Sequence, residues 1–155
     1  GEFERSLPAI GALTRRQIIH NDFNPHNILL DPVEPTQVVG IIDFGDMVHA
    51  PVVNDLAVAL SYHLATDNWA ARTGAFLEGY QSARALQEEE INLLPLLTRA
   101  RLAMSIIIAE WRSARFPENS AYIMRNHATA LRGLQNTAEL TAAGLKRLVP
   151  NLSEG

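Results

Sequence analysis

Three polar residues in the first third of the chain could act together on a phosphate group. Asp22 and Asn27 stand five positions apart in one polar segment, and Asp43 follows a β-branched run shortly after it. Mg²⁺ prefers oxygen ligands and takes few of them from a protein, so Asn27 and Asp43 supply two suitable ligands. Asp22 can instead face an acceptor hydroxyl, because phosphoryl transfer needs a carboxylate that orients the nucleophile. The residue types thus point to metal-assisted phosphoryl transfer.

The alternative is that these residues belong to ordinary turns. A lone Asp or Asn in a loop is usually a turn residue, and Asp43-Phe44-Gly45 alone is a weak signal. The joint pattern is more specific, because His20-x-Asp22-x4-Asn27 followed by Asp-Phe-Gly should arise by chance on the order of once in 10⁵ chains of this length. A strand-like run also precedes each loop, which favours a catalytic origin.

The elements that position these loops are predicted from the apolar pattern. β-Branched runs at 17–20 and 37–42 predict two strands, the first of them buried. Between them, 21–27 is polar and is stiffened by Pro25, which fixes its own φ. We therefore expect residues 17–50 to form a short β-hairpin-like platform that carries the catalytic and metal loops.

The rest of the chain is predicted to be helical, with a helical subdomain over 54–140. Asn54 and Asp67 can cap two helices, and Ser120 can cap a later one. Pro95 should separate or kink the first turns of the longest helix. The predicted helices cover 55–65, 69–85, 87–115 and 120–140. The fold class is α+β, mostly α, in a single domain over 1–155.

Composition excludes several classes of partner. The chain has a formal net charge of −4 and no cysteine, so disulfides and thiol catalysis are excluded and nucleic acid is not expected as a partner. Its apolar stretches look too short to span a bilayer, so no membrane association is expected. The histidines lack a zinc-site spacing. The lack of cysteine fits a cytoplasmic location.

The polar segments resemble the aminoglycoside phosphotransferase and choline kinase-like family. Residues 20–30, HNDFNPHNILL, resemble its catalytic loop, usually written H-G-D-x-x-x-x-N, with Asn21 in place of the usual Gly. Residues 40–46, GIIDFGD, look like its metal-binding segment, which corresponds to the protein-kinase D-F-G. Residues 54–57, NDLA, are similar to the D-L-A that follows. The resemblance is tight over 15–60 and implies the C-terminal lobe of a protein-kinase-like fold.

The resemblance also implies roles and cofactors. Asp22 would be the catalytic base, Asn27 and Asp43 would bind Mg²⁺, and His20 and Asp55 would support the loops. ATP would be the phosphoryl donor. For Asp46 two roles stay open, contact with a second metal or capping of its own turn. Details of the same segments resemble the hydroxylysine-kinase-like branch, which in bacteria is often fused to a class III aminotransferase-like domain, so a multidomain parent is expected.

Binding of the acceptor and of the nucleotide requires further residues. In the family the later helices build the acceptor pocket, so we expect substrate contacts from Glu110 and Trp111, with Glu110 meeting a substrate ammonium or else being solvated or paired. No Gly-rich loop precedes the catalytic loop, and Lys146 is the only lysine. The chain is therefore expected to lack the nucleotide-holding N-terminal lobe and to be inactive alone.

The predicted function is ATP-dependent transfer of a phosphoryl group to a hydroxyl of a small, amine-bearing metabolite. Two alternatives stay open, a non-catalytic pseudokinase-like binding module and a metal-dependent phosphohydrolase that uses the same acids. Intact Asp22, Asn27 and Asp43 argue against the first. The second would not require the spacing of Asp22 to Asn27 with a downstream Asp-Phe-Gly.

Overall fold

The chain forms two small sheets and a larger set of helices, in a computed structural model that describes residues 1–152. The α+β, mostly helical fold class is confirmed. The elements are α1 (Glu2–Gly11), β1 (Arg16–Ile19), β2 (Ile28–Leu30), β3 (Val38–Ile41), β4 (Val48–Pro51), α2 (Val53–His63), α3 (Trp69–Ala83), α4 (Glu88–Arg115), α5 (Ser120–Ile123), α6 (His127–Asn136) and α7 (Ala142–Leu148). Short 3₁₀ turns lie at Pro25–Asn27, Phe44–Asp46, Pro117–Asn119 and Met124–Asn126.

Strand β4, which the sequence analysis does not predict, pairs antiparallel with β1. It has four residues and ends at Pro51, so it is too short to show a period-two pattern. The register sets Ile19 opposite Val48. The segment that follows β1 begins at His20. It therefore leaves the sheet beside the segment that leads into β4.

The second sheet brings the two polar loops together. β2 and β3 pair antiparallel with Ile28 opposite Ile41. The residues that flank this pair continue the contact, because the Ile42 N–H donates to the Asn27 carbonyl at 3.0 Å. Asn27 and Asp43 thus lie at the same end of the sheet, although 15 residues separate them from each other in the chain.

The prediction of a buried strand over 17–20 is wrong for half of its residues. Ile19 and His20 are buried, but Ile18 is 62% exposed. Each sheet has only two strands, which is too few to cover both faces of the ribbon. The exposed large apolar side chains of this region, called here the apolar strip, are Ile18, Leu29, Leu30, Val33, Val38, Val39, Ile41, Ile42, Phe44, Met47 and Val48.

The main core lies between the helices. Leu56, Leu60 and Leu64 recur every four residues and lie on the inner face, because all three are at most 2% exposed and form one cluster with Ile91 and Leu94 of α4. Burying a leucine side chain contributes about 1.5–3 kcal/mol. This cluster holds α2 firmly against α4, and these two helices carry the side chains that contact the catalytic loop.

Several predicted helix boundaries are wrong. α2 begins at Val53, so Asn54 lies inside the first turn and does not cap it. Asp67 does not cap α3 either, because the N-cap residue is Asn68. The Asp67 carboxylate instead accepts a hydrogen bond from Arg132 at 3.1 Å. The single helix predicted over 120–140 is interrupted by the 3₁₀ turn Met124–Asn126. Asn126 has φ −102° and ψ 1°, outside the helical region and typical of a turn.

α4 runs unbroken through Pro95, so the first turns do not form a separate helix. By length and composition α4 could cross a membrane, contrary to the expectation that every apolar stretch is too short. Its most apolar 18-residue stretch is 44% buried within the protein, and α4 packs against α2 and α6. These contacts are those of a core helix.

Candidate active site

The catalytic-loop segment is anchored to α2 through Asp55. The Asp55 carboxylate accepts the backbone N–H of His20 at 2.9 Å and that of Asn21 at 2.6 Å. Asn21 has a φ of 64°, in the left-handed region that glycine occupies freely and that Asn tolerates better than most residues. Asn21 therefore makes the turn for which the family uses Gly, and Asp55 holds that turn in place.

His20 connects the two polar loops. Its Nε2 lies 2.9 Å from the Ile42 carbonyl, and its Nδ1 accepts the Asp22 N–H at 3.3 Å. This pair of bonds requires a neutral ring that carries its proton on Nε2. The ring is 8% exposed and lies 4.9 Å from the Phe44 ring, centroid to centroid. With both nitrogens engaged, His20 organises the loops and is not available to a metal.

The Asp22 carboxylate is held from two sides. Arg101 Nη2 donates to Oδ1 at 2.8 Å, while Oδ2 accepts from the Asn24 and Asn27 side-chain amides at 3.0 and 3.3 Å. A carboxylate has about four acceptor positions, so one position stays open for a hydroxyl. The side chain is 25% exposed, which leaves it reachable by a small molecule.

The sequence analysis missed Arg101. No motif marks it, but it stands in an apolar stretch of α4, between Ala100 and Leu102. An arginine that is partly buried in such a stretch needs an acidic partner. That requirement was the available signal, although it does not identify Asp22, which lies 79 positions upstream.

The side-chain amide of Asn27 is held through its nitrogen. Its side-chain N–H₂ donates to the Asp22 backbone carbonyl at 2.9 Å and to the Asp22 carboxylate. The residue is only 7% exposed, so these bonds fix the amide plane. Its Oδ1 accepts no hydrogen bond within residues 1–152 and is a suitable metal ligand.

Asp43 has an unusual backbone conformation. Its φ is 63° and its ψ is 60°, a strained conformation for a residue with a Cβ, and such strain is concentrated at functional sites. Its side chain does not cap the turn that follows. No cluster of three or more His, Asp or Glu side chains suited to a metal occurs in the described part of the chain. The predicted Asn27 and Asp43 pair, which is not such a cluster, stays a prediction.

A cavity of about 530 Å³ lies next to this constellation. It is bounded by the catalytic loop, α2, α4, α5 and α6 with the turn between them. Asp46 lines the cavity, and so does Arg101, whose guanidinium is bonded to Asp22. Its other lining arginines and histidines are His26, Arg112, Arg125 and His127. The volume is in the range of small-molecule sites.

The two predicted substrate residues, Glu110 and Trp111, are outside the lining of this cavity. Glu110 Oε1 lies 2.9 Å from Nε2 of His127, which does line it. Trp111 is 61% exposed, with the Arg115 guanidinium 5.8 Å from its ring centroid. Their contact with an acceptor stays a prediction.

Comparison with known proteins gives relatives of one kind. The chain is 30% identical over 142 residues to a hydroxylysine kinase from Xenopus laevis, which covers 86% of the chain but 38% of the relative. Hydroxylysine kinases from Danio rerio and Mus musculus are each 32% identical, over 83% and 81% of the chain and 37% and 35% of the relatives. The chain thus spans less than two fifths of the length of these relatives.

The family model described as the phosphotransferase enzyme family, APH, matches residues 1–91. No solved structure matches the chain significantly. The matched residues include both polar loops, the strands that carry them and the Asp55 anchor. Because the match covers more than half of the 155 residues, the chain belongs to the phosphotransferase enzyme family.

Proposed function

We propose that the protein is an ATP-dependent phosphotransferase that acts on a hydroxyl of a small, amine-bearing metabolite. The arrangement of Asp22 carries the proposal. Its carboxylate is oriented by Arg101, Asn24 and Asn27, it keeps one acceptor position open, and its arginine partner lines a cavity. A carboxylate held in this way can orient an acceptor hydroxyl and receive its proton.

The remaining site residues would serve the donor. Asn27 Oδ1 and the Asp43 carboxylate would hold Mg²⁺, whose chemical contribution is to neutralise the phosphate oxygens of ATP. The Ile42 N–H to Asn27 carbonyl bond keeps these two residues in register. His20 ties the same segment to the catalytic loop through the Ile42 carbonyl. Positioning of this kind supplies most of the catalysis in phosphoryl transfer.

Hydroxylysine is the first acceptor to test. The relatives that are about 30% identical carry the name hydroxylysine kinase. The cavity of about 530 Å³ suits a molecule of the size of an amino acid. In this proposal Glu110 and Trp111 contribute to acceptor binding from outside the cavity lining, Glu110 through its contact with His127.

We further propose that a nucleotide-holding lobe covers the apolar strip. This strip exposes many large apolar side chains, and large exposed apolar surfaces mark interaction sites. Lys146, the one lysine of the sequence, is paired at the surface with Glu88, its Nζ 2.7 and 2.8 Å from the two carboxylate oxygens. Residues 1–155 alone would then be inactive. The class III aminotransferase-like domain and the cytoplasmic location rest on the family resemblance and on composition.

One assay tests these proposals together. ADP release is measured for the full-length protein and for residues 1–155 alone, with hydroxylysine, ethanolamine, choline, homoserine and an aminoglycoside. We expect turnover on the order of 1 s⁻¹ or faster by the full-length protein with one of these acceptors, and none by residues 1–155. Phosphate release without an acceptor would indicate a phosphohydrolase, and ATP binding without turnover would indicate a pseudokinase-like module. Either result would overturn the proposed function.

A further inference from the structure

The cavity beside Asp22 is lined by more positive than negative charge. Three arginines line it, Arg101, Arg112 and Arg125, whereas Asp46 is its one lining carboxylate among residues 1–152. An amine-bearing acceptor alone does not explain three guanidinium groups. The surplus of positive charge therefore points to a second, anionic feature of the ligand.

The three arginines are not equally engaged. Arg101 is paired with Asp22 at 2.8 Å. Arg125 donates one bond to the Tyr122 carbonyl at 3.1 Å, and its guanidinium lies 3.9 Å from the Tyr122 ring centroid. Arg112 makes no side-chain hydrogen bond or ion pair within the described residues. A guanidinium has five N–H donors, so Arg112 and Arg125 keep most of theirs available to a ligand.

The position of Arg112 separates it from the catalytic aspartate. Arg101 and Arg112 are eleven positions apart on α4, which is about 16 Å along the axis and about 20° around it. They therefore lie on the same face of the helix, at different heights in the cavity. Met104, Ser105 and Ile108 line the wall between them. A ligand that reaches both ends must carry its hydroxyl and its anionic group several bonds apart.

We propose that Arg112 and Arg125 form an anion-binding subsite, and that it holds a carboxylate of the acceptor while Asp22 faces the acceptor hydroxyl. The planar fork of a guanidinium matches a carboxylate in two parallel hydrogen bonds. The stacking of Arg125 on Tyr122 orients its guanidinium without using up its donors. This inference rests on the proposed function, and it narrows the acceptor class to hydroxylated amino acids over hydroxylated amines.

Glu110 fits this arrangement. Its carboxylate is outside the cavity lining and is engaged by His127 at 2.9 Å. The Glu110 side chain is 58% exposed, so solvent screens its charge from the subsite. The same anion-binding chemistry would also suit a phosphate of the nucleotide, so the experiment must separate an acceptor carboxylate from a nucleotide phosphate.

The test compares ligands that differ only in that group. Binding of hydroxylysine and of its carboxamide to the full-length protein is measured by calorimetry, with homoserine and homoserinamide as a second pair and ATP as a separate ligand. We expect at least one carboxylate to bind about tenfold or more tightly than its amide, on the scale of a charge-assisted bidentate pair. Arg112→Gln and Arg125→Gln should each weaken the binding of that carboxylate ligand by about ten- to a hundredfold. The binding of its amide should change by no more than about twofold.

Arg99→Gln is the matched control. Arg99 is on the same helix, but it pairs with Glu2 at 2.8 Å and does not line the cavity, so acceptor binding should not change. Arg125→Lys keeps the charge without the fork and checks that any loss at Arg125 is not caused by misfolding. Lys should retain part of the affinity.

Three outcomes would overturn the inference. In the first, carboxylate and amide bind equally in both pairs. In the second, the arginine substitutions weaken the binding of both equally. In the third, the substitutions lower the affinity for ATP and not for the acceptor, which would assign the arginines to the nucleotide. Failure of the proposed function has a different signature. If carboxylate-dependent binding is found and lost in the arginine variants but no acceptor is phosphorylated, the subsite stands and the kinase assignment fails.

Discussion

Arg101 Nη2 lies 2.8 Å from Oδ1 of Asp22, so a residue of the long helix α4 directly holds the carboxylate proposed as the catalytic base. Both side chains are largely buried, at 22% and 25% exposed. The other carboxylate oxygen is held by Asn24 and Asn27. The orientation of Asp22 therefore depends on a contact between the catalytic loop and the helical part of the chain.

Replacement of Arg101 tests that dependence. We expect Arg101→Gln to lower kcat by about tenfold or more, because Asp22 loses the partner that fixes its Oδ1, while KM for ATP stays within about twofold. Arg101→Lys should recover part of kcat. Arg99→Gln is the control, since Arg99 is on the same helix but pairs with Glu2 at the surface, at 2.8 Å. An equal loss in both Gln variants, or a change in KM for ATP alone, would contradict the positioning role.

Asp55 is predicted to contribute to stability as well as to the site. Asp55→Ala removes the acceptor of the His20 and Asn21 N–H groups. Leaving partly buried donors unpaired should lower the free energy of unfolding by about 1–3 kcal/mol, measured by urea unfolding of the full-length protein. Asp67→Ala removes only a surface pair with Arg132, whose side chain is 59% exposed, and should cost less than about 1 kcal/mol. Similar losses for the two variants would be evidence against the anchor.

The left-handed turn at Asn21 predicts which substitutions it tolerates. Its φ of 64° suits Gly and resists β-branched residues. Asn21→Gly should leave the free energy of unfolding and kcat nearly unchanged, whereas Asn21→Val should lower the free energy by about 1–3 kcal/mol. Asn119→Val is the control at an exposed Asn with a φ of −111°. A well-tolerated Val at position 21 would refute the assigned backbone conformation.

Stability should fall in mild acid because of His63. Burial, and then the charge of Arg72, lower the pKa of His63 below its usual 6.5. The unfolded chain therefore binds this proton at a higher pH than the folded one, so the free energy of unfolding decreases as pH falls below about 6.5. His63→Gln should flatten the dependence between pH 6.5 and 5, and His49→Gln, at an exposed histidine, should not. Unaltered pH dependence in His63→Gln would disprove this.

The order of elements around the catalytic loop could be predicted because local signals agree there. β-Branched runs mark β1 and β3, Pro25 marks the loop, and the joint motif relates Asp22 to Asn27 and Asp43. The helical core was predictable for a similar reason, since the fourfold spacing of leucines in α2 is a strong periodic signal.

Other features depend on tertiary contacts that leave no local pattern. β4 exists because β1 lies beside it, and four residues cannot show that. Asp67 resembles a helix cap but instead pairs with Arg132, 65 positions away. The side chains of the apolar strip are exposed although they are hydrophobic. Hydrophobicity predicts that a residue is buried but does not specify what covers it. Arg101 was missed because its partner lies on a distant loop.

The turnover of Asp22→Asn is the most direct test of the account. Asn keeps the shape of Asp22 and can still accept a hydrogen bond from Arg101, but it cannot take up the proton of the acceptor. In the full-length protein, with the acceptor that gives the highest activity, we expect kcat to fall by about 10² or more, while the Kd for Mg·ATP stays within a few-fold. An unchanged kcat would contradict the assignment of Asp22 as the base and, with it, the proposed mechanism.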